Sequence, residues 1–412
     1  MEGSKIADKL DALAQTLSGV AQKLRAGKVS LQTDTEQRME LVKAGNELIN
    51  TVSQPEDKVH LYLTQLCHMT ALRLFLKWDA FDKIPKGRRS DGTPLTISYI
   101  QLANKLGADV SLITRLGKVL VANGTLEQRI EIVERLAHTP FSARLTTPQQ
   151  KATMELLFED HCPTLMALPD YFNHFGRIEP KDRLQTPVAF AAGMLGSPAW
   201  DIIQSDERRR KTFMLAMSTG LEWAIFQSTY DFSWIVREAK KQPSDRVIFV
   251  DVGGGRGQVL KNLFDTYPTL PREQCVLEDL PGVIDQAKRE QQPELAGVQM
   301  VGMDFHKEQP IKGALVYYIR RCLHDYHDET CVGILRQIAN AMVLDSRLLI
   351  SETVINNPPT AYQSAIDLMM LLLSGKERGL DGFKEMADQA GLVVTQALYA
   401  REDNGVIECV LR

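Results

Sequence analysis

The stretch from Val247 to Gly257 reads Val-Ile-Phe-Val-Asp-Val-Gly-Gly-Gly-Arg-Gly, and it constrains the fold more than any other part of the chain. An apolar run that enters a glycine-rich turn is the opening strand, turn and helix of a doubly wound sheet, where only glycine lets the backbone approach a ligand closely. The spacing is Asp-x-Gly-x-Gly-x-Gly, with Asp251 ahead of Gly253, Gly255 and Gly257. Dinucleotide sites space their glycines as G-x-G-x-x-G instead. The turn therefore predicts an α/β sheet with a small-molecule crevice outside its strand ends.

The rest of the C-terminal half agrees with this. After Gln242-Pro243-Ser244-Asp245 the hydrophobic period shortens, and strands are expected at 247–252, 274–278, 298–303, 314–319, 347–353, 392–400 and 405–411. Helical patterns separate most of them, which implies a mostly parallel sheet. Asp403-Asn404-Gly405 between the last two is a hairpin signal, so the sheet should finish with an antiparallel pair.

Upstream the pattern is helical. Ile6, Leu10, Leu13, Leu17, Val20 and Leu24 form one stripe of a helix that must pack on something, its own domain or a second subunit. A second helix is expected over 34–52, starting at the Thr33-Asp34 cap region. Gln54-Pro55-Glu56 then breaks the chain, and a third helix runs from His60 to Phe81. Helices at 96–103 and 109–123, followed by an apolar segment to Phe141, look like a winged-helix unit. Its second helix carries only Arg115 and Lys118 as basic residues, so it points to a structural role rather than DNA binding. Residues 147–241 are helical and rich in aromatic residues, among them Tyr171, Phe175, Trp200, Phe213, Trp223, Phe226 and Trp234. Three segments follow from these shifts: a helical segment over 1–58, a winged-helix-like region over 59–190, and a catalytic region over 191–412 with its core at 246–412.

With 48 basic and 52 acidic residues well mixed, the chain has no footprint for nucleic acid or for an anionic membrane. Its six cysteines, Cys67, Cys162, Cys275, Cys322, Cys331 and Cys409, lack C-x-x-C spacing, and several sit inside apolar runs as small hydrophobes, which points to a reducing compartment. No apolar run is long enough to span a bilayer, so a cytoplasmic protein is expected.

Ligands of an open α/β sheet lie just past the strand ends, and acids recur there. Asp279 follows the second strand, where it can accept ribose hydroxyls, and Asp304-Phe305 follows the third, where an acid and a ring can take a base. Past the fourth strand comes Arg320-Arg321-Cys322-Leu323-His324-Asp325-Tyr326-His327-Asp328, with a helix cap expected at Asp328. His324 should open into the crevice, where an imidazole that titrates near neutrality suits a general base. Glu352 ends the fifth strand, and Glu377 lies before the final hairpin.

In that order, Asp-Val-Gly-Gly-Gly-x-Gly, Asp-Leu-Pro-x-Val-Ile, Asp-Phe, Arg-Arg-x-Leu-His-Asp-Tyr-x-Asp-Glu, Ser-Glu and Gly-Lys-Glu-Arg resemble the caffeate-type class I O-methyltransferases of plants and fungi, the fungal ones most closely. The resemblance covers nearly the whole chain. It implies a Rossmann-like seven-stranded methyltransferase sheet, a helical winged-helix-like dimerisation domain, a homodimer, and S-adenosylmethionine as cofactor, with no metal. Carried onto matching positions, it makes His324 the base and Glu352 and Glu377 its flanking acids. Asp251, Gly253, Gly255, Asp279, Leu280, Asp304, Phe305 and Arg320 become the cofactor site, and Phe213, Met217, Arg321 and Met370 the wall of an apolar acceptor pocket. Three positions depart from the pattern: Gly379-Leu380 where threonine is common, a shorter loop before Glu377, and Tyr326 in place of tryptophan.

The resemblance leaves a second reaction open. Some fungal proteins similar to this family hold S-adenosylmethionine without consuming it and steer dehydration or pericyclic ring formation, a role in which Arg321 could polarise a carbonyl. A winged-helix sensor that binds the cofactor without catalysis would need a basic DNA-facing helix, which the sequence lacks.

Overall fold

A computed structural model describes every residue except 1, 32, 33, 131, 225–229, 402 and 403. Thr33, Phe226 and Asp403 therefore lie outside the described residues. The chain divides into two compact units, Met1–Ala143 and Arg144–Arg412. The second takes in helices grouped above with the N-terminal region.

In the first unit, helices span Glu2–Arg25, Thr35–Val52 and Pro55–Lys77. Asp34 caps the second by accepting from the Gln37 N–H at 3.0 Å. The third begins at Pro55 rather than at His60. Proline at the first helical position loses no hydrogen bond, and the Gln54 N–H is held by Asp57 at 2.9 Å, so the residues read as a break are a helix start. Strand β1 (Ile97–Ser98) precedes helices Tyr99–Leu106 and Val110–Ala122, and β2 (Leu126–Ile130) and β3 (Glu134–His138) follow. They form an antiparallel sheet of order β1-β3-β2.

The second unit is built on seven strands: β4 (Phe249–Val252), β5 (Cys275–Asp279), β6 (Gln299–Gly302), β7 (Val316–Arg320), β8 (Arg347–Glu352), β9 (Leu392–Arg401) and β10 (Asn404–Leu411). Their order is β6-β5-β4-β7-β8-β10-β9, parallel from β6 to β8, with β10 antiparallel to both β8 and β9. All seven expected strands are present, and so is the closing antiparallel pair.

Alternate residues of these strands enter two cores, one on each face. Val250, Val252, Tyr317, Ile319, Leu348 and Ile350 pack with Ile334, Leu335, Phe383 and Met386 on one side. Phe249, Leu277, Val316, Tyr318 and Leu349 pack with Leu260, Leu263, Phe264, Ile284 and Ile235 on the other. Each such side chain contributes roughly 1.5–3 kcal/mol on burial, which fixes the strand register and with it the placement of every residue at a strand end.

Candidate functional site

Strand order reverses between β4, which leads to β5 and β6, and β7, which leads to β8. A crevice at the carboxyl ends of these two strands is the expected ligand position in such a sheet. At the end of β4, Gly253 has φ +69°. A Cβ there would lie 2.8 Å from Cys322 Sγ and 3.4 Å from the Phe305 ring. Gly255, at φ +59°, has no atom within 4 Å of its would-be Cβ, and its N–H donates to Asp279 Oδ2 at 2.8 Å. Asp279 Oδ1 accepts from the Leu280 N–H at 2.7 Å. Burial raises the Asp279 pKa, while these two donors pull it down.

Asp251 sits beneath the turn rather than in front of it. It is fully buried against Gly254, its Oδ2 has no hydrogen-bond partner, and burial pushes it up to about 7 against the pull of Arg320. Arg320 ends β7, where burial lowers its pKa. Asp304 Oδ1 accepts from the His306 N–H at 3.0 Å and so shapes the loop that carries Phe305. The Phe305 ring meets Tyr326 edge-on at 5.9 Å.

The proton-active groups converge from three segments. A short turn, Leu323–Asp325, follows β7 and holds His324. Its Nδ1 is 3.0 Å from Glu377 Oε1 and 3.8 Å from Glu352 Oε2. Glu352, the last residue of β8, accepts from the Cys322 and Leu323 N–H groups through Oε1, both at 2.9 Å. The Glu377 N–H is held by Asp367 Oδ1 at 2.8 Å. Ligand atoms of His324, Glu352 and Glu377 all lie within 4.8 Å of one another.

On the other side of the ring, Nε2 lies 3.5 Å from Asp325 Oδ1. Burial favours the neutral imidazole, but Glu352, Asp325 and Glu377 outweigh it and raise His324 to about 9. Burial also raises Asp325, to about 6, against the attraction of His324. Arg321 adds a cation, with its guanidinium 3.5 Å from Glu377 Oε1. Its backbone is held at φ +51°, a left-handed conformation that costs a non-glycine residue about 1–3 kcal/mol.

Two residues of this cluster were not singled out by sequence reasoning. Asp325 adjoins His324 in the same motif, and Arg378 adjoins Glu377; adjacency is the signal both carry. Arg378 also corrects an expectation. Asp328 is not a helix cap but the first residue of helix Asp328–Ala339, and its carboxylate takes the Arg378 Nε at 2.7 Å.

Of the expected acceptor wall, Arg321 lies in the cluster. Phe213 packs edge-on against Trp200 at 5.5 Å, and the Trp200 indole N–H donates to the Tyr326 hydroxyl at 3.2 Å, which links this wall to the turn of the histidine. Met217 lies one turn further along the helix of Phe213 and is exposed. Met370 lies in helix Ala361–Leu371, and its carbonyl accepts from the Gly375 N–H at 3.0 Å.

Residues 181–393 match the model of a family described as the O-methyltransferase domain. Methyltransferase pynC of Aspergillus niger is 35% identical over 370 residues, 88% of this chain and 99% of that protein. A solved structure described as a pericyclic reaction enzyme is 25% identical with a TM-score of 0.80, covering 96% of this chain and 99% of its own. OxaC in complex with SAH and oxaline shares the fold, with a TM-score of 0.83 at 21% identity and full coverage, 100%, of both chains.

Proposed function

The chain belongs to the O-methyltransferase domain family, and from that premise we propose that it methylates a hydroxyl of a small aromatic or polyketide-type molecule with His324 as general base. The observation that carries this reading is the 3.0 Å contact between His324 Nδ1 and Glu377 Oε1. An ionised carboxylate only accepts, so Nδ1 holds the proton of the neutral ring and Nε2 is left to take one from an acceptor hydroxyl. Glu352 and Glu377 then face the imidazolium that forms.

The cofactor is S-adenosylmethionine, which when bound supplies an electrophilic methyl group on a positively charged sulfur. The strand ends fit such a ligand. Gly255 leaves open space at the turn, Gly253 lets the backbone approach, and Asp279 keeps lone pairs beyond those given to Gly255 and Leu280. Asp304 and Phe305 would take the base. Three carboxylates hold a proton on His324 at neutral pH, and a second positive charge in the crevice disfavours that proton. His324 is therefore read as a base that becomes competent in the cofactor-loaded site.

We read the cluster as proton-handling rather than metal-binding, because the Arg321 guanidinium already stands 3.5 Å from Glu377. Activity should survive EDTA. The test of the reaction is incubation with methyl-labelled cofactor and a pool of phenolic and polyketide compounds. A labelled methyl on oxygen, with S-adenosylhomocysteine formed in step, supports transfer; labelled methyl on carbon or nitrogen only would overturn the hydroxyl acceptor.

A second reading is favoured by the likeness to the pericyclic reaction enzyme and by Arg321 beside the base. In it, the cofactor stays intact and Arg321 polarises a carbonyl. Product without S-adenosylhomocysteine would support it.

We also read the first unit as a winged-helix-like region that pairs with a second copy. Val59, Tyr62, Leu63 and Leu66 on helix Pro55–Lys77 are each more than 60% exposed, a continuous apolar face on a single chain. Light scattering should give twice the mass of one chain. The reading as a cytoplasmic protein rests on six cysteines scattered without C-x-x-C spacing. Among the described residues, no helix is long and apolar enough to cross a membrane.

A further inference from the structure

Arg378 is 4% exposed, and all three of its side-chain nitrogens donate. Nε reaches Asp328 Oδ1 at 2.7 Å, one terminal nitrogen reaches the carbonyls of Leu323 at 3.1 Å and Lys376 at 2.9 Å, and the other reaches the carbonyl of Tyr326 at 2.6 Å. Leu323 and Tyr326 are the residues on either side of His324-Asp325. One planar guanidinium thus grips both ends of the turn that carries the histidine.

The residue before it, Glu377, holds His324 Nδ1. On the same segment, Gly375 lies against the turn so closely that a Cβ there would collide with the His324 carbonyl and lie 2.8 Å from Asp325 Cα. The segment is tied in turn to the end of β8, since the Ile355 N–H donates to the Arg378 carbonyl at 2.9 Å. A bond to Asp328 alone would have anchored the following helix. Of the three carbonyls it also takes, those of Leu323 and Tyr326 serve the turn of the histidine.

We propose that Arg378 is the positioning residue of the base: its fork sets the distance between the His324 turn and the segment bearing Glu377, with Gly375 permitting the close approach. The proposal rests on the reading of His324 as base. Lysine cannot replace this fork, because a single ammonium does not span two carbonyls and a carboxylate in one plane.

The test uses the full chain with ring-15N histidine and needs no acceptor. The His324 signal, assigned by its loss in His324→Ala, is titrated in wild type, Arg378→Lys and Gly375→Ala. Both substitutions should lower its midpoint by about one pH unit as the Glu377 contact loosens, with affinity for S-adenosylmethionine within about twofold of wild type. In a Glu377→Gln background, Arg378→Lys should add less than about a third of that shift, since the two residues act through one contact. An unchanged midpoint in Arg378→Lys overturns the proposal, and so does an equal shift with and without Glu377, which would mark a merely structural arginine. Arg378→Lys keeps a cation at the buried site, so the test does not depend on whether Arg378→Ala folds. Failure of the base reading shows separately, as full turnover in His324→Ala, and leaves the titration result standing.

Discussion

The rim proposed to hold the cofactor and the cluster proposed to handle the proton adjoin at the strand ends but are made of different material. The rim is mostly backbone: the turn of Gly253 and Gly255, with Asp279 pinned by two N–H groups. The cluster is side chains from three separate segments, the turn after β7, the end of β8 and the segment of Glu377. The difference means that binding and reaction should break separately, because a backbone cradle survives side-chain changes that dismantle the cluster.

Among the groups around the base, the largest effect should come from Glu377→Ala. It removes the partner of His324 Nδ1 and the carboxylate 3.5 Å from the Arg321 guanidinium, so turnover should fall on the order of a hundredfold while calorimetry finds cofactor affinity within about threefold. Equal losses in both would erase the distinction between the two regions.

The next effect is on stability. The folded chain holds the His324 proton up to about pH 9 against an ordinary 6.5. That contribution is complete below the ordinary value and is lost as pH rises through the folded one, up to roughly 3 kcal/mol. Urea unfolding of the cofactor-free protein should therefore weaken from pH 6.5 to 9, and His324→Gln should flatten the decline.

Asp279→Ala probes the opposite region. Loss of a carboxylate that orders the glycine turn and is proposed to face the cofactor should weaken cofactor binding about ten- to a hundredfold, with turnover at saturation less affected. The smallest effect belongs to Tyr326→Phe, which deletes the acceptor of the Trp200 indole N–H and should cost about 1 kcal/mol in thermal unfolding without moving the His324 titration.

The same contrast explains what was legible in the sequence. Strands β4 to β10 were readable because each is an apolar run bounded by turn residues, and the glycine rim because its constraint is local to one turn. The helix start at Pro55 was misread as a break, since a proline that ends one element equally well begins the next. Strand β1 reads as part of a helix because Ser98 caps the helix that follows, while its strand pairing is with the distant β3, Ile97 with Leu136 and Ser98 with Arg135. In the site, His324 and Glu352 are legible by their place past strand ends, and the order of motifs adds the roles of His324, Glu352 and Glu377. Arg378 escapes because, beside the Asp328 carboxylate, its partners are carbonyls, which no sequence pattern marks.

The central claim is that His324 acts on the acceptor's proton and not on cofactor binding, and measuring both on His324→Ala tests it most directly. The account requires cofactor affinity within about threefold of wild type and turnover lower by about a hundred- to ten-thousandfold. Turnover equal to wild type, or a loss fully explained by weaker cofactor binding, would contradict it.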